Sequence, residues 1–175
     1  MNIVLIGYRC SGKTAVGQIL ANRLGKDFVD TDTSIEEYAG CSIETMIAGS
    51  GWHHFRQMEK KLIKAITAKN NQVIATGGGA VLDEDNLKNL KTNAWMVWLN
   101  GTPEALAQRM AKDQARGKAR PSLTGADAIQ EIAEVLADRH PYYERAGNFK
   151  IDTSTLSIQK VVDLIFRNLP EKARG

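Results

Sequence analysis

Residues 2–14 read NIVLIGYRCSGKT, and the fold turns on how this stretch is understood. Asn2–Ile6 is apolar without alternation, the pattern of a strand buried on both faces. It runs straight into Gly7-Tyr8-Arg9-Cys10-Ser11-Gly12-Lys13-Thr14, which fits the phosphate-binding pattern G-x-x-x-x-G-K-[ST]. A polyphosphate needs several backbone N–H groups aimed at it, and glycines let the chain curl closely enough to supply them. The next segment, Gly12–Leu24, carries Val16, Ile19, Leu20 and Leu24 on one face and ends at Gly25. Such a helix offers its positive end to the same anion. An ordinary glycine-containing turn is the competing reading, but strand, loop and helix occur in the order the motif requires. A nucleotide is therefore expected on Gly7, Cys10, Ser11, Gly12, Lys13, Thr14 and Ala15. Lys13 would reach the β- and γ-phosphates, and the Thr14 hydroxyl would hold Mg²⁺.

Further along, apolar strand patterns at Phe28–Asp30, Val73–Thr76, Ala94–Leu99 and Phe149–Ile151 alternate with helical patterns. The helices are expected at Thr33–Tyr38, with Thr33 and Glu36 at capping-box spacing, and at Ile43–Ala48 and Trp52–Ala68. Others follow around Leu87 and Leu90, from Pro103 to about Met110, over Ala126–Ala146 and over Ile158–Leu169. This alternation predicts one α/β domain, a five-stranded parallel sheet with helices on both faces. Lys112–Gly125 is polar, basic and without clear period, and is expected to be a mobile lid. A length of 175 residues suits a single domain, and 43% hydrophobic with 25% charged residues suits a globular one. A net charge of +3 is too mild to argue for nucleic acid. Cys10 and Cys41 lack metal spacing, no secretory signal precedes the first strand, and no apolar run nears membrane-spanning length. A reduced, cytoplasmic protein is expected.

Ligands of open parallel sheets bind outside the carboxyl ends of the strands, and the remaining motifs fall there. FVDTD ends the second strand; in extended chain Asp30 and Asp32 would share a face. Asp30 could hold a Mg²⁺-bound water, and Asp32 could accept hydrogen bonds from substrate hydroxyls and act as base, or merely cap the next helix. Arg56 and Glu59 lie three apart on one helical face. Arg56 offers a planar fork for a carboxylate, unless it is only a surface partner of Glu59. Gly77, Gly78 and Gly79 let backbone approach a ligand, and could equally form a loose loop. Arg116, Lys118 and Arg120 mark the basic segment, and Arg139 sits in a helix interrupted by Pro141. The adjacent His53 and His54 point to different faces and are not a metal pair. No [NT]-K-x-D guanine-reading pattern is present.

Taken together, GYRCSGKT, FVDTD, the FRxxE within Phe55–Glu59, the triplet Gly77–Gly79, RPSL at Arg120–Leu123 and RHPYYERA at Arg139–Ala146 resemble the shikimate kinase family across nearly the whole chain. The resemblance implies a P-loop kinase of the nucleoside monophosphate kinase-like group, phosphorylating the 3-hydroxyl of shikimate with ATP and Mg²⁺ in aromatic amino-acid biosynthesis. It implies that Asp32 holds and helps deprotonate the acceptor and that Arg56 and Arg139 clamp its carboxylate. Gly77, Gly78 and Gly79 would meet it through backbone. Asp30 would be a Mg²⁺ residue acting through water, Arg109 would stack on adenine, and Arg120 would meet the transferring phosphate. The acceptor would be gripped by residues of about 32–60 and the lid would span about 112–125. A monomer acting on a small molecule, with no nucleic-acid or membrane partner, is expected. Trp52 stands where the family usually has an acid, and RPSL replaces RPLL. A gluconate kinase-like enzyme and a non-catalytic ATP-dependent switch are the alternatives, though a switch needs no base such as Asp32.

Overall fold

In the computed structural model, which describes residues 1–115 and 126–174, β1 (Asn2–Ile6) is buried along its whole length. Its side chains alternate between two cores. Ile3 and Leu5 pack with Val16 and Leu20 of α1 (Lys13–Leu24) and Val161, Val162 and Ile165 of α7 (Ile158–Asn168). Val4 and Ile6 pack on the other side with Ile63 of α3 (Ile43–Thr67), Leu87 and Leu90 of α4 (Glu84–Lys91), and Tyr143 and Ala146 of α6 (Ala126–Ala146). Burial on both faces is why the strand reads as a continuous apolar run. Each such side chain contributes about 1.5–3 kcal/mol when fully buried.

β1 is the middle strand. With β2 (Asp27–Asp30), β3 (Gln72–Ala75), β4 (Ala94–Asn100) and β5 (Phe149–Asp152) it forms a parallel sheet in the order β2-β3-β1-β4-β5. This is the expected three-layer α/β fold. The order reverses beside β1, so a crevice opens at the carboxyl end of β1, between the loops after β3 and β4.

Several local expectations change. The Thr33–Glu36 capping box does not form, because α2 (Thr31–Ala39) starts two residues earlier. Its cap is Asp30, whose Oδ1 accepts from the N–H groups of Asp32 at 3.0 Å and Thr33 at 3.4 Å. Glu36 instead accepts from the Ile43 N–H at 3.0 Å, at the start of α3. The two pieces expected at 43–48 and 52–68 meet at Gly51, whose φ of 79° breaks the helical path. Thr102 caps α5 (Pro103–Ala115) as expected, accepting from the Ala105 N–H at 3.3 Å. That helix continues past Met110 and takes in residues 112–115. The rest of the expected lid, with Arg116, Lys118 and Arg120, lies outside the described residues. Pro141 sits inside α6 without ending it, and a short α8 (Glu171–Arg174) was not apparent in the sequence.

At the end of β1, Gly7 has φ 139°, and a Cβ there would collide with the Leu99 carbonyl oxygen of β4. Gly25, beyond α1, also has positive φ (62°), but a Cβ there would meet nothing within 4 Å. Backbone strain alone costs about 1–3 kcal/mol at such positions. Gly7→Ala is therefore expected to lower the urea midpoint clearly more than Gly25→Ala. Equal losses would show that the close passage of Gly7 under β4 does not constrain the loop.

Candidate active site

The loop after β1 folds over its own lysine. The Lys13 ammonium donates to the carbonyl oxygens of Gly7 (2.9 Å) and Tyr8 (2.8 Å), with Ser11 Oγ at 3.5 Å. Gly12 precedes α1 at φ 98°, and Cys10 takes φ 59°, a conformation few non-glycine residues adopt. The Thr14 hydroxyl donates to Asp30 Oδ2 at 2.7 Å. Asp30 thus does two jobs, capping α2 with one oxygen and holding Thr14 with the other. Arg109 of α5 reaches Cys10 O (3.4 Å) and Thr153 Oγ1 (3.1 Å) and also donates to the Thr153 carbonyl, closing the far side of the loop. Thr153 in turn donates to Asn100 O at 2.8 Å. The Cys10 thiol faces Asp113 Oδ2 at 3.7 Å.

Asp30 and Asp32 do not share a face. Asp30 ends the strand, whereas Asp32 is already in the first turn of α2 and faces the loop after β3. A Cβ on Gly77 would lie 2.6 Å from Asp32 Oδ1 and 3.2 Å from Glu59 Oε1. One on Gly79 would lie 2.6 Å from Arg56 Nη2, and one on Gly78 would lie 3.3 Å from the Arg9 backbone nitrogen. The triplet is thus an ordered seam, not a loose loop, and the absence of side chains is what lets these groups meet there. The Gly77 N–H donates to Thr31 Oγ1 at 2.9 Å. The Gly78 carbonyl accepts from Arg139 at 3.4 Å and from the Tyr143 hydroxyl at 2.5 Å. Beside Arg139 lies an open cavity of about 510 Å³, lined also by Leu82, Val135, Asp138 and Tyr142. That volume suits a small ligand.

Arg56 is no surface partner of Glu59. Its Nη1 donates to Glu59 Oε2 at 2.7 Å, and Glu59 is only 1% exposed. Burial pushes the Glu59 carboxyl up, over the opposing pull of Arg56, and the charges of Asp32 and Asp83 push it the same way. The guanidinium also lies over Phe55 (4.9 Å) and Trp52 (5.5 Å), whose ring is 61% exposed. Spacing alone showed the Arg56–Glu59 pair but not its burial. Tyr143 and Thr153 gave no sequence signal, because each works through backbone carbonyls far away in the chain. His53 and His54 are exposed. Among the described residues no three His, Cys, Asp or Glu side chains gather to hold a metal.

The donor set nonetheless fits Mg²⁺. Thr14 would supply a hard oxygen ligand directly and Asp30 one through a bound water, and Mg²⁺ in phosphate sites takes only one or two protein groups beside phosphate and water. The hydroxyl gives its proton to Asp30 and keeps lone pairs for a cation.

A P-loop lysine in its cradle, faced across a glycine seam by a carboxylate and two arginines, defines a P-loop kinase for a small anionic acceptor. Comparison with known proteins narrows this class. The family model for shikimate kinase matches residues 9–170. A curated shikimate kinase of Symbiobacterium thermophilum is 42% identical over 98% of both chains. One from Syntrophus aciditrophicus is also 42% identical, over 95% of this chain and 89% of its own. The structure of Acinetobacter baumannii shikimate kinase in complex with shikimate superposes with a TM-score of 0.86, at 31% identity, over 95% of this chain and 90% of the other. The chain belongs to the shikimate kinase family.

Tyr143 supplies a pH test of the seam. Burial raises its phenol to about 12, against the pull of Arg139. A phenol outside the fold ionises near 10, so between about pH 10 and 12 the unfolded chain has released a proton that the folded one keeps. This contribution, about 3 kcal/mol, is complete below about pH 10 and vanishes as pH rises to about 12. In denaturation measured against pH, Tyr143→Phe should lose less stability across that window than the unmodified chain. Parallel curves would exclude Tyr143 from the alkaline transition.

Proposed function

We propose a division of labour for the reaction of this family, transfer of the γ-phosphoryl group of ATP to the 3-hydroxyl of shikimate in aromatic amino-acid biosynthesis. The chain is a kinase of this kind and uses ATP with Mg²⁺. The observation that carries the assignment is the glycine seam, where Asp32, Arg56 and Arg139 approach Gly77, Gly79 and Gly78 in turn.

Arg56 and Arg139 hold the acceptor carboxylate, with Arg56 aimed by Glu59. Asp32 accepts hydrogen bonds from the ring hydroxyls. As the 3-oxygen attacks the γ-phosphorus, Asp32 takes its proton, the bond to the β–γ bridging oxygen breaks, and ADP leaves. Gly77, Gly78 and Gly79 meet the acceptor through backbone. Gly7, Cys10, Ser11, Gly12 and Ala15 line the phosphate side, and Lys13 turns its ammonium from the loop carbonyls to the β- and γ-phosphates. Bound Mg²⁺, held by Thr14 and through water by Asp30, would neutralise phosphate charge. Arg109 flanks the adenine. Arg120, outside the described residues, is assigned to the transferring phosphate, as part of a lid over about 112–125. Residues of about 32–60 form the acceptor-gripping segment. The same reading makes the chain a cytoplasmic monomer without nucleic-acid or membrane partners. The modest net charge of +3 supports it, and no helix among the described residues is long and apolar enough to cross a membrane.

A coupled ADP-release assay tests the reaction. Turnover is expected with shikimate and not with gluconate. Asp32→Asn should still bind ATP while kcat falls about 10²–10⁴-fold, the scale of general-base catalysis. Turnover by that variant close to the unmodified rate would take Asp32 out of the chemistry.

A further inference from the structure

Behind Arg56 and Glu59 stands a residue with no role so far, Asn86 in the first turn of α4. It is completely buried, and its Nδ2 lies 3.4 Å from Glu59 Oε2, the oxygen that also takes the Arg56 guanidinium. Asn86 Oδ1 and Glu59 Oε1 are both buried without a hydrogen-bond partner among the described residues. A core position next to Leu87 would be better served for stability by an apolar side chain, because a buried polar oxygen without a donor is unfavourable. The amide therefore calls for another reason. A carboxylate only accepts, so the NH₂ group must face Glu59; the reversed amide would set oxygen against oxygen. The 3.4 Å separation is long for a hydrogen bond, so the amide adds a weak restraint on Glu59 beside the stronger one from Arg56.

The backbone of Asn86 is itself anchored. Asp83 caps α4 by accepting from the N–H groups of Asp85 (3.0 Å) and Asn86 (3.1 Å). Lys60, next to Glu59, pairs with Asp83 at 2.8 Å and Asp85 at 3.3 Å, clasping α4 to α3. The amide thus comes from a fixed point outside α3 and restrains the Glu59 carboxyl from turning. Arg56, bonded to that carboxyl and close against Gly79, is restrained with it.

We propose that Asn86 is a positioning residue for the acceptor: it fixes Glu59, and through Glu59 the Arg56 fork, in the orientation that receives the substrate carboxylate. This rests on the assignment of Arg56 to that carboxylate.

The experiment is a double-mutant cycle on the full chain, with Asn86→Leu, Arg56→Lys and the double variant. Shikimate affinity is measured by calorimetry and by steady-state kinetics. Asn86→Leu is expected to weaken shikimate at least about threefold, the scale of coupled neighbours, with KM for ATP within about twofold. Arg56→Lys should weaken shikimate about tenfold or more, because the fork is lost. In the Arg56→Lys background, adding Asn86→Leu should change shikimate affinity by less than about twofold. Full additivity would make Asn86 a merely structural residue and overturn the proposal, as would unchanged shikimate affinity in Asn86→Leu alone. If Arg56→Lys left shikimate binding intact, the carboxylate assignment would fall as well, so the two failures are told apart. Should Asn86→Leu not fold, Asn86→Ala and its double variant carry the same cycle.

Discussion

The backbone of Gly78 lies so close to the phosphate-binding loop that even a methyl group there would press on it. A Cβ there would come within 3.3 Å of the Arg9 nitrogen and 3.6 Å of the Gly7 carbonyl oxygen. Phosphoryl transfer offers little covalent chemistry for a protein to assist, so the enzyme's task is to set donor and acceptor side by side in a fixed field. The Gly78 contact brings two loops together through backbone. It joins the loop after β1 to the loop after β3, strands that are already paired in register from Ile3–Val73 to Leu5–Ala75. Sheet pairing fixes two loop ends, and those ends set the distance between the two loops.

Charge is handled differently on the two sides. In the loop after β1 the Lys13 ammonium is held by the Gly7 and Tyr8 carbonyls. Neutral carbonyl oxygens thus help to hold this cation in place. At the glycine seam full charges meet, with Glu59 buried beneath Arg56 and Asp32 close by. Burying a carboxylate is unfavourable unless it is paired, and removing its partner leaves a charge stranded. The Arg56–Glu59 pair is therefore better understood as geometry held at some expense of stability than as a source of it.

Much of this was visible in the order of residues. The continuous apolar run of β1 announced a strand between two cores, and the spacing of Gly7, Gly12, Lys13 and Thr14 announced the loop. Parallel topology followed from the alternation of elements. What misled was local. Thr33 and Glu36 have capping-box spacing, but Asp30 caps the N–H groups of Asp32 and Thr33, so α2 begins earlier and Asp32 leaves the extended chain. The argument that Asp30 and Asp32 share a strand face failed for that reason, although both sit where the motifs placed them. Burial was the other blind spot. An i,i+3 Arg–Glu pair looks the same whether it faces water or lies under a helix, and nothing near Tyr143 in sequence tells that its hydroxyl meets Gly78.

That last contact spans 65 positions of the chain, and the neighbouring one from Arg139 spans 61. Chains are made from the amino terminus, and this one would emerge with its phosphate loop, Asp32, Arg56 and glycine triplet long before α6 exists. Until residue 143 arrives, the Gly78 carbonyl lacks both of its side-chain donors, and until Thr153 arrives, Arg109 lacks its anchor. The polypeptide thus acquires its phosphate-binding loop early and the side chains that tie down the glycine seam last.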